Sequence, residues 1–213
     1  MSSRSDSNQI TRDYFDSILL ETRYWDSDLP STKMELYGET FETPIMTAAL
    51  SHLHDICDNA MAEFGKGAKD AGAVHWVGMG EDDELEQILA TGARTVKIIK
   101  PHKDDEVIYH KIRHAAEHGA FAVGMDIDHC FAGNGEYDVV CGLPMHAKTT
   151  SDLKNYVKAS SVPFIVKGVL SAKDAEKCVK AGVSGILVSH HHGIMQYAVP
   201  PLMILPEIVK AVD

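Results

Sequence analysis

The chain is predicted to be an α/β protein built on a parallel sheet, and three observations lead there. Six short apolar runs recur from residue 44 onward, amphipathic segments closed by glycine separate them, and polar side chains collect at one end of the runs. Runs that are continuously apolar, rather than alternating, are what strands buried on both faces require. Strands that alternate with helices imply right-handed crossovers and parallel pairing.

Residues 1–42 read as a lead-in. The first nine are polar and Ser-rich, as a frayed terminus would be, and residues 14–37 read as a helix followed by an irregular segment around Pro30. Residues 43–213 carry the repeating pattern. The strand candidates are PIMTAAL (44–50), VHWVGMG (74–80), TVKIIK (95–100), FAVGMDID (121–128), PFIVKG (163–168) and GILVSH (185–190). Between them, EDDELEQILATG has acids in its first turn and Gly92 after its last, and DDEVIYHKIRHAAEHG ends at Gly119. SAKDAEKCVKAG has Ser171 placed as N-cap and Gly182 as C-cap. A final helix runs through LPEIVKAVD. Six strands fit either an open doubly wound sheet or a barrel. A closed barrel needs eight strands, in about 250 residues.

Composition limits the partners. A net charge of −11 over 213 residues argues against nucleic acid or an anionic membrane, both of which need basic surface. No apolar run is long enough to span a bilayer and the N-terminus has no signal-like apolar core. Cys57, Cys130, Cys141 and Cys178 form no CxxC pair, which reads as four reduced thiols in a cytoplasmic protein.

In parallel β/α folds ligands bind at the carboxyl ends of the strands. Here those ends carry Lys97 and Lys100, then Asp126, Asp128 and His129, then Lys167, then Ser189, His190, His191 and His192. Charge at the end of an apolar strand is costly to bury without partners, so four strands doing this at one end mark a site. Lys167 offers either a fixed cation or a Schiff-base amine. Asp126 and Asp128, two apart, share a strand face, and one can orient a histidine as a base. At most two of the three consecutive histidines can face one site. His110, His114 and His118 recur every fourth residue opposite an apolar stripe and read as solvated, with no metal site expected. GNGEYD (133–138) is a turn-rich loop without phosphate-binding glycine spacing.

PFIVKGVLSAKDAEKCVKAGVSGILVSHHHG followed by LPEIVKAV resembles the flavin mononucleotide (FMN)-dependent α-hydroxy-acid dehydrogenase and oxidase family, as do LYGETFETPIMTAA and FAVGMDID upstream. The resemblance covers roughly residues 14–213. It implies a TIM (β/α)8-type barrel, here incomplete with about six parallel strands, completed by further strands or by another copy of the chain. It implies FMN as cofactor, a small-molecule substrate, proton abstraction by a histidine and hydride transfer to flavin. By the same resemblance His191 is the base, Asp128 its paired carboxylate and Lys167 the flavin-side lysine. Ala48, Ala49, Lys97, Asp126 and Ser189 fall at cofactor positions. The family's substrate-clamping groups are replaced: Ile194 stands for one arginine, nothing in HCFAGNGEYD matches the second, and Ile99 stands for a tyrosine. His190, His192, His129 and Lys100 are then left to bind substrate. A flavin-independent aldolase-like enzyme working through Lys167, and a non-catalytic barrel fragment, are the alternatives.

Overall fold

A computed structural model describes residues 5–213, and its five-stranded sheet is parallel throughout. The chain opens with α1 (Ser7–Ser17), capped by the Asp6 side chain on Asn8 N–H. A short hairpin follows, β1 (Met34–Leu36) and β2 (Glu39–Phe41). A single 3-10 turn (Leu53–Asp55) precedes α2 (Ala60–Asp70), and then the repeat begins: β3 (His75–Val77), α3 (Asp82–Ala90), β4 (Thr95–Ile99), α4 (Asp105–Glu117) and β5 (Ala122–Asp126). A second small hairpin, β6 (Val139–Val140) and β7 (Leu143–Pro144), sits in the long connection to α5 (Thr150–Ala159). The chain then runs through β8 (Phe164–Val169), α6 (Ala172–Ala181), β9 (Gly185–Val188) and α7 (Pro201–Val212). The sheet order β3-β4-β5-β8-β9 follows the sequence without reversal. That is the order of a curling barrel wall, and it excludes a doubly wound sheet, which must switch direction.

Five strands, not six, form the ladder. The expected first strand, 44–50, lies beside β3 but is held by only a few contacts. Thr47 N–H donates to Val74 O at 3.2 Å, Gly78 N–H donates to Leu50 O at 2.8 Å, and Leu50 bridges Val77 in parallel. Helix α1 also starts at Ser7, earlier than residue 14, and Ser7 is buried. Residues 1–4 of the expected frayed terminus lie outside the described residues. In α6 the expected caps are found, with Ser171 Oγ accepting from Asp174 N–H and Gly182 in the left-handed region at φ +81°.

The two faces of the sheet bury different cores. The inner one joins Phe41, Val74, Trp76, Val96, Ile98 and Ile165. Hairpin β1–β2 closes its lower end, with Phe41 and Phe121 rings edge to face at 5.5 Å. Gly124 is required here, since a Cβ would come within 2.6 Å of Ile165 O and 2.9 Å of Ile98 Cδ1. The outer core packs Val77, Ile99, Val123, Met125 and Val166 against the helices through Ile88, Ile108, Ile112 and Tyr156. Side chains alternate between the two cores along each strand, as the period of 2 demands. Between β8 and β9 the register slips: Lys167 pairs with Leu187, Val169 with Val188, and Gly168 is left out at φ +89°. This bulge sends Lys167 inward while Val169, two residues on, packs outward with the helices.

The solvated reading of the α4 histidines holds for His110 but not for His114. Its side chain keeps only 12% of its exposure and is wedged against α3. No helix among the described residues is long and apolar enough to cross a membrane.

Candidate active site

The inner face delivers four charged groups to the carboxyl end of the sheet. Lys100 follows β4, Asp126 ends β5, Lys167 lies on β8, and Asp128 sits two residues beyond β5. Lys100 Nζ donates to Asp126 Oδ2 at 2.7 Å and Lys167 Nζ to Asp126 Oδ1 at 2.6 Å. All three are buried. Burial alone would raise the Asp126 carboxyl, but Lys100, Lys167 and His191 outweigh it and hold the group below the usual carboxylate range. One carboxylate therefore serves two ammonium groups, and this trio by itself carries a net positive charge that Asp128 balances.

His191 completes the arrangement. Its Nδ1 lies 2.9 Å from Asp128 Oδ1 and 3.1 Å from Lys167 Nζ. A carboxylate can only accept, so the shorter contact, to Asp128, assigns Nδ1 the proton; this leaves a lone pair on Nε2 and makes the Lys167 approach a close contact rather than a hydrogen bond. Asp128 Oδ2 is buried and has no hydrogen-bond partner among the described residues, a spare acceptor at the site. Gly168 makes room for this carboxylate: a Cβ there would run into the Asp128 carboxyl group. His129 stacks edge-on against His191 at 5.1 Å and pairs with Asp138 at 3.1 Å. Burial, then the charges of Lys100 and His191, push His129 below the ordinary imidazole range.

The loop after β9 is strained to hold this geometry. His191 and His192 both take left-handed backbone, φ +50° and +54°, at about 1–2 kcal/mol each. Ser189 Oγ offsets part of this by accepting from His191 N–H at 2.9 Å, so Ser189 shapes the turn under the histidine. The neighbours point elsewhere. His190 is buried between Thr11 Oγ1, 2.8 Å from its Nε2, and Gly193 N–H, which donates to its Nδ1 at 2.9 Å. His192 faces α1, its carbonyl accepting from Asn8 Nδ2. His190 and His192 are thus not brought to the His191 cluster, because two left-handed residues break the simple alternation and only His191 turns inward.

Lys97 is also parted from the group. It shares the outer face with Ile99, and its Nζ donates to Gly78 O at 2.7 Å. Burial and then Lys111 lower its pKa to about 8. The resemblance put Lys97 at a flavin position and Ile99 at that of a substrate-clamping tyrosine, but alternation turns Ile98 and Lys100, one residue on, to the inner face. Ala49 packs against the inner core and Ala48 is exposed, both on the segment beside β3. Sequence reasoning missed His102. It is buried, and burial followed by Lys111, Lys148 and Lys100 lowers its pKa to about 4. Together with Lys97, Lys100 and Lys111 it lines a cavity of about 800 Å³ over the ends of β3 and β4. That cavity adjoins the Asp126 cluster through Lys100 but does not reach His191.

A parallel β/α half-barrel with a lysine, carboxylate and histidine converging above its strands matches part of the wall of a β/α barrel. The chain belongs to the FMN-dependent dehydrogenase family, whose family model matches residues 2–156 and 145–213. It is 24% identical over 217 residues to 4-hydroxymandelate oxidase of Amycolatopsis orientalis, covering 86% of this chain and 61% of that one. It is 47% identical over 57 residues to 2-hydroxyacid oxidase 1 of Mus musculus, covering 26% of this chain and 15% of that one. Crystal structures of mandelate oxidase superpose with a TM-score of 0.87 at 23% identity, over 99% of this chain and 67% of theirs, a likeness of fold. The chain thus spans less than two thirds of the length of these relatives' sequences.

The family's cofactor is FMN, and the donor set suits it. An isoalloxazine edge presents both acceptors and an N–H donor. The site offers two ammonium groups and one spare buried carboxylate oxygen.

Proposed function

We propose that this chain carries the catalytic half-site of an FMN-dependent oxidoreductase that oxidises a small α-hydroxy acid. The observation that carries the reading is the Asp128–His191 pair at 2.9 Å with Lys167 beside it. His191 Nε2 takes the proton of the substrate hydroxyl, and Asp128 holds the tautomer and stabilises the imidazolium that results. FMN, when bound, supplies the two-electron acceptor for the hydride from the carbinol carbon. Lys167 and Lys100 hold positive charge at the strand ends, where electron density accumulates on the cofactor and where a substrate carboxylate needs a counter-charge. Lys100 stands on the inner face and takes part of the clamping role for which no arginine is present. A Schiff base at Lys167 is disfavoured, since an ion-paired ammonium has no lone pair to attack a carbonyl. The four free cysteines fit a reducing cytoplasm, and the edge of β9, unpaired among the described residues, suits self-association.

The test is to load the protein with FMN, then add a panel of 2-hydroxy acids without oxygen and follow bleaching of the flavin absorbance. The expected result is bleaching by at least one of them, slowed on the order of 100-fold or more in His191→Asn, the range for loss of a general base. A protein that binds no FMN, or a His191→Asn variant that bleaches at the native rate, would overturn the assignment.

A further inference from the structure

Outside the catalytic cluster, the seam between α3 and α4 gathers five side chains that bind metals in other proteins. His114 lies in the last turn of α4 and His118 caps that helix four residues on; Glu86 faces them from α3. Glu86 Oε1 lies 3.0 Å from His114 Nε2 and 3.5 Å from His118 Nε2, and one donor atom from each residue falls within 4.8 Å of the other two. A tetrahedral ion with bonds of about 2.0–2.1 Å holds its ligand atoms about 3.3 Å apart. The two distances from Glu86 stand close to that spacing, and the two histidine nitrogens lie within 4.8 Å of each other.

The hydrogen bonds behind the cluster fix the nitrogens as ligands. His118 Nδ1 lies 2.8 Å from the His114 carbonyl. A carbonyl only accepts, so Nδ1 carries the proton and Nε2 presents a lone pair toward the Glu86 carboxylate. Only a proton or a metal ion between Nε2 and that oxygen makes the 3.5 Å approach favourable. His114 is the half-buried member, and its Nδ1 is buried with no hydrogen-bond partner. Asp82 Oδ1 is 3.8 Å from it. With a cation on Nε2, the His114 proton moves to Nδ1 and points at Asp82, the carboxylate support that metal-bound histidines commonly have. Asp82 is itself held by His110 Nε2 at 2.6 Å and neighboured by Lys111 at 3.7 Å. The other convergent group, Asp126, Asp128 and His191, already has its cations in Lys100 and Lys167.

We infer that Glu86, His114 and His118 bind one divalent transition-metal ion of the zinc class, tying α3 to α4 on the outside of the half-barrel. Two imidazoles and one carboxylate form the ligand set, solvent completes it, and Asp82 orients His114. Mixed nitrogen and oxygen ligands of this kind select zinc, copper or nickel over magnesium and calcium.

The experiment uses the protein stripped with a chelator and then titrated with Zn²⁺ by calorimetry, and in parallel with Cu²⁺ by electron paramagnetic resonance. The expected result is one ion per chain, a Cu²⁺ spectrum with coupling to two imidazole nitrogens, and a higher Tm with Zn²⁺. Glu86→Gln, at an exposed position that tolerates change, weakens binding on the order of tenfold, and His118→Ala does the same and removes one nitrogen coupling. Asp128→Asn leaves the affinity unchanged. Failure to bind Zn²⁺ would overturn the proposal, as would binding that survives Glu86→Gln and His118→Ala together, or binding that Asp128→Asn abolishes. Circular dichroism on each variant separates loss of ligand from loss of fold.

Discussion

Replacing Asp126 with Asn removes a single charge and leaves two buried ammonium groups facing an amide. Asp126 is 2% exposed and the side chains of Lys100 and Lys167 are each 9% exposed, so little water is at hand to take over. Breaking a buried ion pair by deleting one partner costs about 3–5 kcal/mol. Here two pairs break at once. The two cations, brought to opposite oxygens of one carboxylate, also repel each other by about 3 kcal/mol, taking about 6 Å and an effective dielectric of about 20. The terms do not simply add, because a lysine can shed its proton. For an ordinary lysine that costs about 4.6 kcal/mol at pH 7, which caps the repulsion. Asp126→Asn is therefore expected to lose about 5 kcal/mol in urea unfolding at pH 7. The deficit has a definite pH signature. The folded variant binds fewer protons than its unfolded chain on the alkaline side, so stability returns as pH rises from 7 toward 10. Adding Lys100→Met to Asp126→Asn should restore at least half of the loss, since one ammonium then faces an amide oxygen that can accept from it. A variant within about 1 kcal/mol of the native protein at pH 7, or a deficit that does not change with pH, would refute the reading of this cluster as two cations on one anion.

Two further outcomes follow from the same geometry. Burial holds His75 neutral with a pKa of about 4, and His102 likewise, with Lys111, Lys148 and Lys100 adding to the burial of the second. The unfolded chain binds these protons near pH 6.5, so between about 6.5 and 4 it holds more protons than the folded one and stability falls as pH falls, by about 3 kcal/mol per histidine at the lower limit. Urea midpoints at pH 7 and pH 4.5 measure this, and a His75→Gln, His102→Gln double variant with an undiminished acid loss would contradict it. Gly168→Ala places a Cβ in left-handed backbone and against Asp128. Flavin bleaching should slow at least tenfold, and a native bleaching rate in stopped-flow would show that the Asp128 position is not set by this glycine.

The sheet was legible because its strands are continuously apolar and its helices carry their caps in plain view, as Ser171 and Gly182 do. The same continuity concealed which way each side chain points. Where polar and apolar residues alternate, a strand announces its faces; TVKIIK does not, so Lys97 and Lys100 could not be told apart until the two cores were seen. The histidine triplet was ambiguous for a related reason. Alternation holds for extended backbone, and residues 191 and 192 leave it. Some signals were present but weak in isolation, such as the Thr149 and Asp152 capping box that starts α5 and the Asp6 cap of α1. The burial of His114 needed a partner helix, which no local pattern reveals.

The slipped pairing at Gly168 sets a condition on how this chain can vary. If that residue were lost, β8 and β9 could zip together without interruption, and by the usual measure of ladder quality the joint would improve. Val169 would keep its outward face, but the left-handed backbone that gives the Asp128 carboxyl group its room would be gone. Natural or engineered lineages that tidy this joint are thus expected to keep the wall and lose the chemistry, so a one-residue deletion here is a cleaner way to silence the protein than any single side-chain exchange.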